Sequence, residues 1–290
     1  MEEFLHWLQG TMTTPTWFGW FHILWLCIMI AECVVIYIFR KKISRKTINI
    51  ILLTVGIALI IFELYKQIVF SFNYNGGNGN STWSYQWYAF PFQFCSTPMY
   101  LMVIAGILRK GKVYNCITSY LATFAAFAGL CVMIYTGGVF TSMIGINIQT
   151  MFWHSRMFTI GFLLLATRSV EFNFKTILRA SYVFFVMIGL ALIMNIIWHY
   201  CGTDATFNMF FISPYYPCTL VILDKIYQTV PYIIFLLIYL IGFILAASII
   251  FGVALLLDKL EKRLAKNKTS QDDETSEKII NIIKDDINKK

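Results

Sequence analysis

Charge is what this chain has least of. Asp, Glu, Lys and Arg make up 13% of its residues and apolar residues 58%, whereas a soluble domain carries about 25% charged residues. That balance excludes an ordinary soluble globule and predicts an integral membrane protein. Histidine is scarce, with four residues, and neither C-x-x-C nor H-E-x-x-H spacing occurs, so no metal site is expected. No cofactor is expected either. Met1 to Gly10 holds Glu2 and Glu3 but no Lys or Arg, so the basic start of a secretory signal is missing there. Seven cysteines are present, most of them inside apolar runs, which argues against a disulfide framework. Cys201 and Cys218 share one loop and could pair in an oxidising compartment or stay free. Aromatic residues are abundant at 17%, and many stand at the ends of apolar runs, where interfacial belts belong.

A membrane-crossing helix needs about 20 predominantly apolar residues. Seven such runs can be read: Trp17–Phe39, Thr47–Phe72, Trp87–Leu108, Val113–Tyr135, Gln149–Thr167, Thr176–Tyr200 and Val230–Leu257. The expected fold is all-α and polytopic. It has an N-terminal segment 1–16, a seven-helix domain 17–257 and a charged tail 258–290. All but three of the 23 Lys and Arg fall in alternate loops or the tail. By the positive-inside rule the N-terminus is outside and the C-terminus cytoplasmic. The net charge of +8 follows from this placement and does not indicate nucleic acid. The cell membrane is the expected location, and oligomeric state is left open. In the tail, the spacing of Ile279, Ile280, Ile283 and Ile287 predicts a short amphipathic helix after a disordered link.

The third run contains Phe90-Pro91-Phe92-Gln93-Phe94-Cys95-Ser96-Thr97-Pro98. Proline removes a backbone donor and clashes with the carbonyl four residues back. Pro91 should therefore free the Trp87 carbonyl, and Pro98 that of Phe94. Non-helical backbone at membrane depth survives only where protein or a water-filled cavity satisfies it. The stretch predicts a polar, protein-lined cavity with Cys95 between two helix breaks. The plainer reading is a kinked packing helix with an inert buried thiol.

Depth supports the first reading. At ~1.5 Å rise per residue, Cys95 lies about 12 Å below the outer end of its run, His154 about 8 Å and Lys66 about 9 Å, with Glu63 at about 13 Å. Arg156 lies slightly deeper than His154, and Asn195 and His199 approach the same layer. Unpaired ionisable groups there cost about 2.5–3.5 kcal/mol or more and mark function. Bland accounts also exist: Glu63 and Lys66 can neutralise each other, and Arg156 can snorkel to the interface. A cysteine beside a histidine can act as a thiolate nucleophile and carry an acyl group as a thioester. Ser96, Thr97, Arg156 or freed backbone N–H groups could hold the oxyanion. In the outer half of a bilayer the natural substrate is a phospholipid or another acyl lipid. Two other functions fit the same residues, a transporter lined by Glu63, Lys66 and Arg156, and a seven-helix sensor signalling through its tail.

The Pro91–Ser96 stretch resembles the Leu-Pro-Leu-His-Leu-Cys signature of the YwaF-like bacterial integral membrane proteins. These are related to the transmembrane protein 164 acyltransferases and, more distantly, to the androgen-induced hydrolases of fatty-acid esters. Glu63, Lys66, His154 and the Asn208-Met209-Phe210-Phe211 loop ahead of Asp224 and Pro231 also match. The resemblance covers most of the chain. It implies a seven-helix fold and a catalytic Cys/His dyad, carried onto Cys95 and His154, that transfers or hydrolyses lipid acyl groups. Glu63, Lys66, Gln93, Ser96, Arg156, Asn195 and Asn208 are the residues expected to bind substrate. Gln93 departs from the pattern, which has histidine there, and an amide cannot act as a base.

Overall fold

A proline-free apolar run in lipid folds as helix because the backbone must satisfy itself. The computed structural model describes residues 1–288, with side chains up to Leu264 and at Lys266. Helix α1 (Glu2–Gln9) is followed by α2 (Trp20–Phe39) and α3 (Arg45–Ser71). Ser44 caps α3, its hydroxyl accepting the Thr47 N–H at 3.1 Å. A small antiparallel hairpin pairs Phe72 with Trp83 and Asn73 with Thr82. Helices α4 (Thr97–Leu108), α5 (Lys112–Tyr120) and α6 (Ala126–Ile134) follow, the last two joined by a π turn over Leu121–Ala125. Then come α7 (Ile144–Ala166), α8 (Phe174–Cys201), α9 (Leu223–Thr229) and α10 (Tyr232–Asn288).

Among the described residues, 5 helices are long and apolar enough to cross a bilayer: α2, α3, Lys112–Ile134, α8 and Tyr232–Leu264. The other two expected runs differ for separate reasons. Helix α4 has only 12 residues, about 18 Å, because the chain before Thr97 is not helical. Helix α7 has 23 residues, which suffices in length, but it is polar. Its Asn147, Gln149, His154, Ser155 and Thr159 are buried, enclosed by α2, α3, α6 and the π turn. A central helix can carry polar groups that a lipid-facing one cannot.

Contacts between loops fix which helix ends lie together. At one end, Gln9 Nε2 donates to the Val69 and Phe72 carbonyls at 3.2 and 2.7 Å. There the Met12 N–H meets the Ser142 carbonyl at 2.9 Å, and Trp17 Nε1 donates to the Ile134 carbonyl at 2.8 Å. At the other end, Asn49 Nδ2 reaches the Arg109 carbonyl at 3.4 Å and Arg45 lies over the Tyr114 ring. Helices α3 and α4 cross at Gly106, where an added Cβ would come 2.8 Å from the Leu53 nitrogen. Helices α6 and α7 cross at Gly129, where it would come 2.6 Å from the His154 carbonyl oxygen.

The chain divides into two units, Met1–Ser248 and Ile249–Lys290. The C-terminal residues continue α10 as helix to Asn288 where a disordered link was expected. The Ile279, Ile280, Ile283 and Ile287 side chains lie outside the described residues. All seven cysteines are free, so Cys201 and Cys218 do not pair.

Candidate functional site

The chain enters the core through a 3-10 turn over Trp87–Ala89 and an irregular stretch from Phe90 to Ser96. Pro98 falls in the first turn of α4, where its missing N–H is no loss. The two breaks expected inside one helix are therefore a non-helical entry followed by a helix that begins at Thr97. Its backbone groups find partners, as burial demands. The Trp87 carbonyl accepts the Phe90 N–H at 3.2 Å, and the Gln93 carbonyl accepts Ser96 and Thr97 at 2.8 and 3.1 Å. The Phe94 carbonyl takes the Thr97 hydroxyl at 3.3 Å, and the Pro91 carbonyl takes the Tyr100 hydroxyl at 3.1 Å. The Cys95 carbonyl accepts Trp153 Nε1–H at 2.8 Å, which ties this stretch to α7.

A second irregular segment packs against the first. Read from sequence as part of a long loop, residues 207–213 fold inward, and Phe207, Met209, Phe210, Ile212 and Ser213 are buried. Phe210 and Phe211 adopt φ of 58° and 57°. Left-handed backbone at bulky residues is costly and persists where the surroundings dictate it. Gln93 supplies part of that constraint, donating to the Asn208 carbonyl at 3.0 Å and accepting the Phe210 N–H at 2.9 Å. Asn195 pairs with both the N–H and the carbonyl of Met209, at 2.7 and 3.0 Å. Tyr239 of α10 donates to the Phe210 carbonyl at 3.0 Å. Asn208 donates to the Pro217 carbonyl and accepts the Ser213 N–H, at 3.0 and 2.9 Å. The amides of Gln93, Asn195 and Asn208 each bond backbone of this segment.

His154 lies one residue beyond Trp153. Its Nδ1 is 2.8 Å from the Thr150 carbonyl. A carbonyl can only accept, so Nδ1 carries the proton and, in the neutral ring, Nε2 presents the lone pair. No hydrogen bond to Nε2 occurs among the described residues. By contrast, both nitrogens of buried His22 are engaged, by the Phe18 N–H and the Met133 carbonyl. On α3, Lys66 Nζ contacts Glu63 Oε1 at 2.8 Å, and Gln67 Nε2 meets the same oxygen at 2.6 Å and the Ala89 carbonyl at 2.7 Å. Glu63 Oε2 is buried without a partner. The Lys66–Glu63 pair lies within electrostatic reach of Cys95, and Lys66 of His154, while Ser96 is a polar neighbour of the thiol.

Arg156 is engaged elsewhere. It forms an ion pair with Glu32 of α2 and lies over the Phe152 ring at 4.9 Å. Glu32 was missed in the sequence, although a carboxylate in the middle of the first apolar run was the visible signal. Trp153 was missed because an indole inside an apolar run looks like packing. A cavity of about 330 Å³ is lined by Tyr88, Gln93, Asn208, Phe211 and Tyr216 among others. An apolar groove of about 370 Å³ lies between α2 and α7 at Met29, Cys33 and Phe158. Neither is lined by Cys95 or His154. Among the described residues no three His, Cys, Asp or Glu side chains gather closely enough to hold a metal ion.

Among the described residues, five apolar helices long enough to cross a bilayer, packed on a largely apolar core that also encloses the polar residues of α7, define a polytopic helical membrane protein. The chain belongs to the TMEM164 family, whose model matches residues 17–255. That match covers the transmembrane protein 164 part of the resemblance, while the YwaF-like and hydrolase parts rest on the quoted motifs alone. No curated protein and no solved structure matches the chain.

Proposed function

We propose that this protein is a lipid acyltransferase of the cell membrane, using Cys95 as nucleophile and His154 as its base. The observation that carries the reading is the Trp153–Cys95 hydrogen bond of 2.8 Å. It holds the thiol-bearing stretch against the turn of α7 that presents His154 Nε2 as a free acceptor. His154 takes the thiol proton, and the thiolate attacks the acyl carbon of a phospholipid or another acyl lipid. The C–S bond forms and the C–O bond breaks. His154 returns the proton to the departing lipid alkoxide, leaving an acyl thioester on Cys95. A second lipid hydroxyl then accepts the acyl group by the reverse sequence, or water accepts it in hydrolysis.

In this reading the chain makes seven passes, with α4 and its irregular entry as the third and α7 as the fifth. The N-terminus faces outward and the C-terminus the cytoplasm. The shared end of α1, the hairpin and the α6–α7 loop supports that alternation, as does the shared end of the α2–α3 and α4–α5 loops. The test is labelling with a thiol-directed acyl probe, together with lipid composition in a strain carrying Cys95→Ala. Probe on Cys95 and an altered acyl pattern in the strain support the reading. An unlabelled Cys95 with unchanged lipids excludes it.

A further inference from the structure

A thiolate attacking an acyl carbon creates a negative oxygen that needs hydrogen-bond donors already in place. Of the donors suggested by the sequence, Arg156 is committed to Glu32 and the Thr97 hydroxyl to the Phe94 carbonyl. Another donor stands on a different helix. Tyr120 ends α5, is 0% exposed, and its Oη, beside the Thr97 side chain, makes no hydrogen bond of good geometry. A buried hydroxyl without a well-formed hydrogen bond is costly and calls for an explanation.

The surroundings of Tyr120 point to the same place as the dyad. Its ring stacks on Phe124 at 5.5 Å and meets Phe94, the neighbour of Cys95, edge-on at 6.4 Å. The side chain lies beside Thr97 and within electrostatic reach of Cys95. The five residues after it form the π turn Leu121–Ala125, an irregularity that in helices is frequent at functional sites. The turn packs on α7, the helix of Trp153 and His154. The phenol is thus fixed by its ring, with its hydroxyl beside Thr97.

We infer that Tyr120 is a third catalytic residue, whose hydroxyl donates a hydrogen bond to the oxyanion formed when Cys95 attacks the acyl carbonyl. This rests on the assignment of Cys95 as nucleophile. The thiolate's electron pair forms the C–S bond, and the carbonyl π pair moves onto oxygen, where the Tyr120 O–H meets it. The pair then returns to carbon as the lipid alkoxide leaves with the proton from His154. Tyr120 keeps its proton throughout. Ser96, next to the thiol, is placed to serve as a second donor.

The experiment compares two reactions of Cys95 in the purified full chain, wild type and Tyr120→Phe. Acylation by a p-nitrophenyl fatty ester in detergent micelles passes through an oxyanion. Alkylation by iodoacetamide does not. Since Oη makes no hydrogen bond of good geometry in the fold, Tyr120→Phe should change the melting temperature little. It should slow the p-nitrophenolate burst by about 10²-fold, the usual effect of losing one oxyanion donor, while Cys95 alkylates at the wild-type rate. Acylation of Tyr120→Phe at the wild-type rate overturns the role of Tyr120 and leaves Cys95 as nucleophile. Equal slowing of both reactions, or a lowered melting temperature, makes Tyr120 structural and also overturns it. A wild-type burst that is absent, or that persists in Cys95→Ala, removes the nucleophile and the role of Tyr120 together.

Discussion

The indole N–H of Trp153 donates to the carbonyl of Cys95 at 2.8 Å, across 58 positions of sequence. This single bond joins the irregular stretch that carries the thiol to the helix that carries the imidazole. Trp153→Phe keeps most of the packing and leaves the Cys95 carbonyl unpaired, at a cost of about 1–3 kcal/mol. The expected outcome is a lower melting temperature in detergent together with faster alkylation of Cys95, as its stretch loosens. An unchanged alkylation rate would show that other contacts suffice to hold the thiol.

Gln93 uses one donor and one acceptor to clamp the second irregular segment. A neutral imidazole also offers one of each, which explains how an amide here can stand where the resembling signature has histidine. Gln93→His is therefore expected to keep the fold within about 1 kcal/mol, while Gln93→Leu strands the Phe210 N–H and costs about 1–3 kcal/mol. Thermal unfolding of the two variants, with protease sensitivity of residues 207–213, checks the difference.

Gly129 permits α6 to lie against the backbone of α7 at His154. Gly129→Ala places a methyl 2.6 Å from the His154 carbonyl oxygen and should destabilise by about 1–3 kcal/mol through overpacking. An added Cβ at Gly189 in α8 meets nothing within 4 Å. Gly189→Ala should be neutral or stabilising by up to about 1 kcal/mol. Melting temperatures of the pair, measured side by side, test the packing argument.

Much of this arrangement was legible in the sequence, and the limits have physical causes. A bilayer imposes helix length, so the apolar runs that form the five long helices could be read directly. Pro91 and Pro98 marked where helix fails, though not that α4 begins at Thr97 with Pro98 inside its first turn. The burial of the polar residues of α7 could not be read, because its enclosure by neighbours is a property of three dimensions. The inward fold of residues 207–213 was hidden because its backbone is satisfied by Gln93, Asn195 and Tyr239, all distant in sequence. The Glu32–Arg156 pair links residues 124 apart, and no local pattern announces it.

That pair supplies a further prediction. Both side chains are largely buried, at 27% and 19% exposure, and each has one polar atom without a partner. Arg156→Met leaves the Glu32 carboxylate alone between α2 and α7 and should cost roughly 3–5 kcal/mol. Adding Glu32→Leu should recover most of the loss, since a paired charge replaced by packing is often neutral. A double-mutant cycle on unfolding in detergent measures it, and a double variant no better than the single one contradicts the coupling.

The central claim is that Cys95 carries an acyl group with His154 as its base. Intact-mass measurement of the purified protein, incubated with a phospholipid of one defined chain, tests it most directly. The account predicts an added mass of one acyl chain, mapped to Cys95, removed by hydroxylamine, absent in Cys95→Ala and formed far more slowly in His154→Ala. No acyl adduct on the wild type, or one that survives in Cys95→Ala, would contradict it.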